Sequence, residues 1–299
     1  TCAHILNWRA TKVICAISFG LVGVLRTSAW VALKFMNILK YNKMKKFNGK
    51  AIYNPQGKAG EYSTWACNFY VGCSNMCSYC YCKKGILAKV MGMDHAQLKK
   101  CFKNENDALE IFKKELIQNI FEIKKSGMFF TFTSDPFLPE TTNLTWRAVA
   151  IAYSMGVSCQ LLTKRADFID RLDFSLLAHS LKIAHTDKIS FGFTLTGCDS
   201  FESKASTNED RIKAMKRLYD LGFKTWASIE PIINLNCSLL MIKQTFEFCD
   251  YYKIGLMSGG KKPDKDDLYR FTRKVLEFIP SNKIYWKHSI TDYLRNEKE

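Results

Sequence analysis

The chain has 299 residues, 47% of them apolar, which is enough to build a sizeable hydrophobic core. A disordered or fibrous protein is therefore excluded. Lys and Arg number 44 against 28 Asp and Glu, giving a net charge of +16. This excess favours a polyanionic partner such as DNA or RNA, although dispersed lysines serve solubility equally well.

The cysteines indicate the redox setting. Of the twelve, only those between Cys67 and Cys82 are crowded together. A disulfide framework is typical of a short secreted chain with spread-out cysteines. We therefore expect a cytoplasmic protein with metal ligands in the crowded region.

Residues 1–43 contain basic residues but no acidic one, and their apolar run from Val13 to Leu25 is broken by Arg26. A membrane span needs roughly 20 apolar residues without a central charge. We expect Met44 to begin the native protein and residues 1–43 to be translated upstream sequence. The alternatives are a membrane or interfacial anchor and a helical extension, and no membrane partner is expected unless the segment is genuine. The domain organisation predicted is this extension followed by one domain over 44–299.

From Met44 onward, short β-rich runs alternate with helical patterns. The predicted strands are 64–70, 128–133, 158–162, 189–194, 225–229, 252–257 and 283–287. The predicted helices are 107–125, 144–154, 170–179, 208–221, 238–248 and 266–278, with Asn143 and Asn208 as N-caps of two of them.

This alternation predicts an α/β fold with parallel strands joined by helical crossovers. About six strand–helix units are fewer than the eight of a closed barrel, so we predict a partial (β/α)6 TIM-type barrel. In such folds the chemistry gathers at the carboxyl ends of the strands.

Three cysteines, Cys73, Cys77 and Cys80, fall within eight residues after the first predicted strand. Three thiolates on a four-iron cluster leave one iron without a protein ligand, whereas electron-transfer clusters usually take four cysteines. An open coordination position is typical of a catalytic metal site. Zinc is the alternative, with Cys67 or Cys82 as a fourth ligand, but no second ligand pair follows.

The C-x₃-C-x₂-C motif, with Tyr79 before its last cysteine, resembles the radical S-adenosylmethionine superfamily. The resemblance implies a [4Fe–4S] cluster whose open iron binds S-adenosylmethionine, with an electron donor such as flavodoxin or ferredoxin. Reductive cleavage of this cofactor would give a 5′-deoxyadenosyl radical that abstracts hydrogen from a substrate.

Further segments look like the spore photoproduct lyase-like branch over roughly residues 62 to 290. They are Tyr79-Cys80-Tyr81, Thr133-Ser134-Asp135-Pro136, Thr163-Lys164 and Ser228-Ile229-Glu230-Pro231. By this resemblance Ser134 would contact the amino group of the cofactor and Lys164 its carboxylate, as a hydroxyl and an ammonium can.

Other candidate residues have plain structural alternatives. Thr194 or Thr196, at the end of the fourth strand, would lie near the ribose hydroxyls. Arg211 is a further candidate for the cofactor carboxylate, although a solvated charge on a helix is the simpler interpretation.

Three candidate catalytic residues follow from the same segments. Tyr79 and Tyr81 could transfer hydrogen or merely pack around the cluster. Glu230 ends an apolar strand, where an isolated carboxylate is costly unless it is paired. We interpret His288 as a surface histidine.

One position departs from the lyase pattern, because Thr133 stands where a hydrogen-donating cysteine is expected. Its O–H and C–H bonds are much stronger than S–H, so the dimer-repair route of the lyase is in doubt. Cys67, Cys82 and Cys159 are possible replacements. No second cysteine cluster lies near the C-terminus, which disfavours the peptide-modifying relatives.

The sequence therefore predicts a cytoplasmic radical enzyme, lyase-like or of another radical reaction, whose substrate could be nucleic acid. The competing hypothesis is a non-catalytic zinc or iron–sulfur protein that binds nucleic acid. It would need a closed, four-ligand metal site.

Overall fold

The computed structural model describes residues 46–171 and 186–295. The expectations for residues 1–43, and most of the predicted helix 170–179, lie outside the described residues. Among the described residues, no helix combines the length and apolar character needed to cross a membrane.

One eight-stranded sheet organises the chain from Phe47 onward. In chain order the strands are β1 (Ile52–Tyr53), β2 (Ala66–Cys67), β3 (Tyr70–Val71), β4 (Gln97–Leu98), β5 (Met128–Phe130), β6 (Cys159–Thr163), β7 (Ile189–Thr194), β8 (Lys224–Ile232), β9 (Tyr251–Leu256) and β10 (Ile284–Trp286). The order in the sheet is β1-β2-β5-β6-β7-β8-β9-β10, while β3 and β4 form a separate antiparallel pair. Only β1 is antiparallel to its neighbour in the described part of the large sheet.

Helices lie between the parallel strands and after the last one. In the described ranges they are α1 (Ala88–Met91), α2 (Glu105–Gln118), α3 (Ile120–Ser126), α4 (Thr142–Ser154), α5 (Phe168–Arg171), α6 (Asn208–Asp220), α7 (Leu235–Thr245), α8 (Lys265–Phe278) and α9 (His288–Arg295). Seven parallel strands joined by six crossovers confirm the predicted α/β class, and the described sheet is open between β1 and β10. Parallel strands need such crossovers because no tight turn can join them.

The core explains why the strands are apolar throughout. Phe191 and Phe193 of β7 are fully buried, as expected where helices cover a parallel sheet. Between them, Gly192 lies against the indole of Trp226 on β8, where a Cβ atom would come within 2.1 Å of the ring. Glycine therefore permits this contact between neighbouring strands.

Two predicted elements are divided in the structure. The first predicted strand, 64–70, becomes β2 and β3, because the Asn68 carboxamide donates to the Tyr53 hydroxyl and accepts from the Phe132 N–H between them. The first predicted helix, 107–125, is α2 and α3. Asn119 separates them and donates its side-chain amide to the Glu115 carbonyl.

Both predicted N-caps are wrong. Helix α4 begins earlier, after Thr141, because the hydroxyl of Thr142 donates back to the Leu138 carbonyl and starts the turn. Helix α6 has Thr207 as its N-cap, with the hydroxyl accepting the Asp210 N–H. Asn208 is buried instead.

The edge of the sheet beside β1 is held by a carboxylate from α2. Glu115 accepts hydrogen bonds from three successive backbone N–H groups, those of Lys50, Ala51 and Ile52, at 2.6, 3.0 and 2.7 Å. Successive N–H groups of this kind form an anion-binding concavity. Gly49 lies directly against the carboxylate, so a larger side chain there would displace it.

Candidate active site

A cavity of about 450 Å³ opens at the carboxyl ends of the parallel strands. Its lining includes Cys73, Cys77, Cys80, Cys82, Tyr62, Tyr79, Tyr81, Ser134, Lys164, Thr194, Ser228, Glu230 and Lys287. This is the edge of the sheet at which α/β proteins bind their ligands. Most of the residues selected from the sequence therefore meet in one place.

The cysteine loop follows β3 and brings three thiols to the cavity. The Cys73 N–H donates to the Met93 carbonyl at 3.1 Å, and the Cys80 N–H donates to the Cys77 carbonyl at 3.3 Å. Cys77 forms an isolated antiparallel bridge with Glu202. Among the described residues, no three His, Cys, Asp or Glu side chains converge on a single metal ion.

The outer side of this loop is held by residues 199–205. The Ser78 N–H donates to the Phe201 carbonyl at 2.9 Å, and the Lys204 N–H donates to the Asn75 carbonyl at 3.2 Å. Backbone contacts on both sides therefore fix the path of the cysteine loop.

Asp135, just beyond β5, joins three loops at the cavity. Its buried carboxylate accepts from the Asn75 side chain at 2.8 Å, the Phe137 N–H at 3.0 Å, the Thr163 hydroxyl at 2.6 Å and the Lys164 N–H at 2.8 Å. Four donors compensate for the burial of this charge. The sequence identified the Ser-Asp-Pro segment, but not that its aspartate would fasten the cysteine loop.

The thiols differ in acidity. Burial raises the pKa of Cys73 to about 12, with the Asp135 charge adding to the effect, and burial also raises the pKa of Cys77. A hydrogen bond from the Cys82 thiol holds the pKa of Cys80 at about 6. Since a thiolate is the metal ligand, metal loading must displace protons from Cys73 and Cys77.

Two polar groups at the cavity have no hydrogen-bond partner among the described residues. One is the Ser134 hydroxyl, which is buried. The Lys164 ammonium lies 5.6 Å from the centre of the Tyr79 ring and has no hydrogen-bond acceptor among the described residues. Burial lowers the pKa of Lys164, but the neighbouring Cys77 and Glu202 raise it more, so the ammonium form is favoured.

Arg211 is not the solvated helix charge that the sequence suggested. Its side chain is fully buried, and its guanidinium lies 2.5 Å from the equally buried Glu202 carboxylate. It also donates to the Thr194 carbonyl, while the Thr196 hydroxyl donates to Glu202 at 3.2 Å. Thr194 lines the cavity, whereas Arg211 and Thr196 lie behind it around Glu202. No sequence signal had selected Glu202, which lies in a loop after β7.

The two tyrosines of the cysteine loop both line the cavity. Tyr79 donates its hydroxyl to Glu202, and Tyr81 donates its hydroxyl to the Phe132 carbonyl. Tyr81 is 48% exposed. Each therefore has a defined hydroxyl partner at the edge of the site.

A hydrogen-bonded cluster of polar side chains lies at the wall of the cavity formed by the last strands. Glu230 accepts through one oxygen from the Tyr62 hydroxyl and the Lys287 ammonium, both at 2.6 Å. The Tyr62 hydroxyl also lies 2.8 Å from the Ser228 hydroxyl. Burial and the Glu230 charge raise the pKa of Tyr62 far above its ordinary value. Of these residues, only Glu230 was selected from the sequence. Lys287 is the last residue of the predicted strand 283–287, and that position could have identified it.

Lys253 supports this group from beneath. Its ammonium donates to the Tyr62 carbonyl at 2.7 Å and lies 4.8 Å from the centre of the Tyr62 ring. Burial lowers the pKa of Lys253 to about 8, and the Lys287 charge contributes in the same direction.

The remaining residues considered from the sequence lie in different places, some at the cavity and some away from it. His288 is a surface histidine as expected, with a side chain that is 70% exposed. Thr133 donates its hydroxyl to the Tyr70 carbonyl at 2.5 Å. Of the three cysteines considered in its place, Cys82 lines the cavity, while Cys67 and Cys159 are buried among core residues.

Comparison with known proteins defines the family. The profile of the radical SAM superfamily matches residues 67–236, more than half of the chain. The chain belongs to the radical SAM superfamily. It is accordingly a radical SAM enzyme, and its family uses a [4Fe–4S] cluster and S-adenosylmethionine.

Individual relatives are more distant. An uncharacterised protein of Methanocaldococcus jannaschii is 24% identical over 259 residues, which cover 85% of this chain and 93% of that protein. A mutant spore photoproduct lyase with bound AdoMet and dinucleoside spore photoproduct aligns with a TM-score of 0.51 at 15% identity, over 78% of this chain and 66% of that one. The lyase complexed with dinucleoside spore photoproduct gives 0.50 at 15% identity, over 76% of this chain and 64% of that one. These alignments confirm the predicted fold likeness.

The residues of the cavity fit the cofactors of this superfamily. Three thiols are the donors that iron takes in such clusters. The unpartnered Ser134 hydroxyl can accept from an N–H of an amino group, and Lys164 can pair with a carboxylate. S-adenosylmethionine carries both groups.

Proposed function

We propose that Cys73, Cys77 and Cys80 hold a [4Fe–4S] cluster whose open iron binds S-adenosylmethionine, and that a substrate reacts in the same cavity. When bound, these cofactors supply a one-electron reductive cleavage that yields a 5′-deoxyadenosyl radical. The observation that carries the proposal is the presence, in one cavity, of three thiols and the unpartnered hydroxyl of Ser134.

Residues around the cysteine loop bind the cofactor. Ser134 accepts from its amino group, Lys164 donates to its carboxylate, and Thr194 lies at the cavity to contact the ribose hydroxyls. Arg211 and Thr196 act as positioning residues, because both reach the cavity through Glu202, which accepts the Tyr79 hydroxyl. Tyr79 is thereby held beside the Lys164 ammonium.

Glu230 faces the substrate. One of its oxygens is occupied by Tyr62 and Lys287, while the other accepts no hydrogen bond from the described residues. The unoccupied oxygen can accept an N–H or O–H of the substrate or take up a proton. Tyr79 and Tyr81 are the candidates for hydrogen transfer, with Cys82 as the thiol that lines the same cavity.

We propose a nucleic acid, DNA or RNA, as the substrate, in a lyase-like or other radical reaction. The net charge of +16 favours a polyanion. The related lyase structures hold a dinucleoside photoproduct. We also propose that residues 44–299 form the catalytic domain and that the protein is cytoplasmic, because crowded cysteines suit metal ligation in a reducing compartment.

The test is anaerobic reconstitution with iron and sulfide, reduction with dithionite, addition of S-adenosylmethionine and assay of 5′-deoxyadenosine. We expect production by the wild type and loss of it in Cys77→Ala. Cys101→Ala, which alters an exposed cysteine outside the loop, is the matched control and should retain it. Uptake of zinc in place of a cluster, or a loaded cluster without deoxyadenosine when candidate substrates are present, would refute the proposal.

A further inference from the structure

The segment that follows the cysteine loop, residues 81–93, forms an exposed surface without an obvious structural purpose. It contains three short helices, Tyr81–Lys83, Gly85–Leu87 and α1. Ile86 is 86% exposed, Val90 60% and Leu87 43%, which is unusual for large aliphatic side chains in successive turns.

The same segment is basic. Lys84 and Lys89 are exposed beside these aliphatic side chains, and Lys83 lines the cavity. From residue 62 to residue 93 the chain has no Asp or Glu. The surface of Lys84, Ile86, Leu87, Lys89 and Val90, called the lysine–aliphatic surface below, therefore combines positive charge with exposed apolar area.

This surface is next to the proposed cluster. Lys84 comes four residues after Cys80, so the two Cα atoms are at most about 14 Å apart even if the chain were extended. The helical turn Tyr81–Lys83 between them shortens this distance. A molecule bound to the lysine–aliphatic surface thus lies close to the cysteine loop.

We propose that the lysine–aliphatic surface docks a small acidic electron-carrier protein that reduces the cluster. The inference rests on the proposed function, which needs one electron from outside the chain. One electron leaves the reduced carrier and enters the cluster, and no bond forms or breaks in this step. An acidic carrier complements the lysines, while exposed aliphatic side chains suit the apolar centre of a protein interface.

The surface is less suited to nucleic acid. Sites that bind single-stranded nucleic acid combine basic residues with aromatic side chains on which the bases stack. Here the large exposed side chains between the lysines are aliphatic. Nucleic-acid binding at this surface is therefore the competing outcome that the experiment must detect.

The test uses the cluster-loaded enzyme and an oxidised FMN flavodoxin, with binding measured by isothermal titration calorimetry. We expect Lys84→Glu/Lys89→Glu to weaken binding at least about tenfold, and added salt to weaken wild-type binding. Ile86→Ser should weaken binding without changing its dependence on salt. The control Lys114→Glu/Lys274→Glu makes the same charge change at exposed sites on α2 and α8 and should bind as the wild type does.

A second measurement separates the two proposals. Dithionite-driven deoxyadenosine formation should be equal in all these proteins, whereas flavodoxin-driven formation should fall in the surface variants alone. Equal flavodoxin binding by all variants would overturn the docking surface, as would flavodoxin displaced by a single-stranded oligonucleotide whose own binding needs Lys84 and Lys89. Absence of deoxyadenosine with dithionite in the wild type would instead count against the proposed function.

Discussion

The Asn75 side chain donates to the Asp135 carboxylate at 2.8 Å, so the middle of the cysteine loop is attached to the end of β5. We expect Asn75→Ala to lower the free energy of unfolding by about 1 kcal/mol, because Asp135 keeps three other donors. The iron content after reconstitution should fall by a larger fraction than the free energy of unfolding does, since the loop carries all three thiols. Urea unfolding of the apoprotein and iron per chain measure the two effects. Asn282→Ala, at an exposed site, is the control, and equal iron content in both variants would contradict the prediction.

Ser134→Ala should separate stability from cofactor binding. Removing a buried hydroxyl that has no partner should leave the melting temperature of the apoprotein unchanged or slightly higher. Loss of the acceptor for the cofactor amino group should weaken S-adenosylmethionine binding by up to about tenfold, as expected for one hydrogen bond. Thermal unfolding and calorimetric titration of the cofactor test this. A marked fall in the melting temperature would show that the hydroxyl serves the fold instead.

The buried pair of Arg211 and Glu202 should show strong coupling. Arg211→Met leaves the Glu202 carboxylate buried without its cation, and we expect a loss of about 3–5 kcal/mol. Adding Glu202→Gln should recover part of this loss, because the uncompensated charge is then removed. A double-mutant cycle in urea measures the coupling. Additive effects of the two substitutions would contradict the prediction.

Lys253 should make the free energy of unfolding depend on pH in the alkaline range. Its pKa is about 8 in the folded protein because of burial, against about 10.4 in an unfolded chain. Between these values the unfolded state binds more protons, so this lysine's destabilising effect diminishes as pH rises, by up to about 1.4 kcal/mol per unit. Below pH 8 both states are protonated and its contribution is constant.

The measurement for Lys253 is a difference, because buried thiols and phenols with raised pKa values act in the opposite direction. The free energy of unfolding of the wild type minus that of Lys253→Met should increase from about pH 8 to about pH 10. Lys274→Met, at an exposed position on α8, is the control for loss of a charge. A difference that is flat across this range would show that Lys253 titrates normally.

Much of the fold could be predicted because the sequence shows clear β-rich apolar runs for the strands and a clear 3.6-residue period for the helices. The strand Ile189–Thr194 was predicted with its observed bounds, since its apolar run is continuous and β-rich. The boundaries failed where a single polar side chain decided them. Asn68 ends a strand and Asn119 ends a helix through hydrogen bonds to atoms that the local sequence does not identify.

The site was predictable to the extent that its residues lie at strand ends or carry distinctive spacing. Cys73, Ser134, Lys164 and Glu230 all reached the same cavity. Glu202 could not be found, because its importance arises from tertiary contacts with Arg211 and Tyr79. Likewise, nothing local to Arg211 indicates burial, since a charged helix residue is usually solvated.

The contact of Glu115 with the N–H groups of residues 50–52 bears on solubility. An open barrel has free sheet edges, and unpaired N–H groups on such an edge can recruit a strand from another molecule and start aggregation. At residues 50–52 a carboxylate from the same chain already occupies those donors. The sheet can thus remain open while the donors at this edge are withheld from neighbouring molecules.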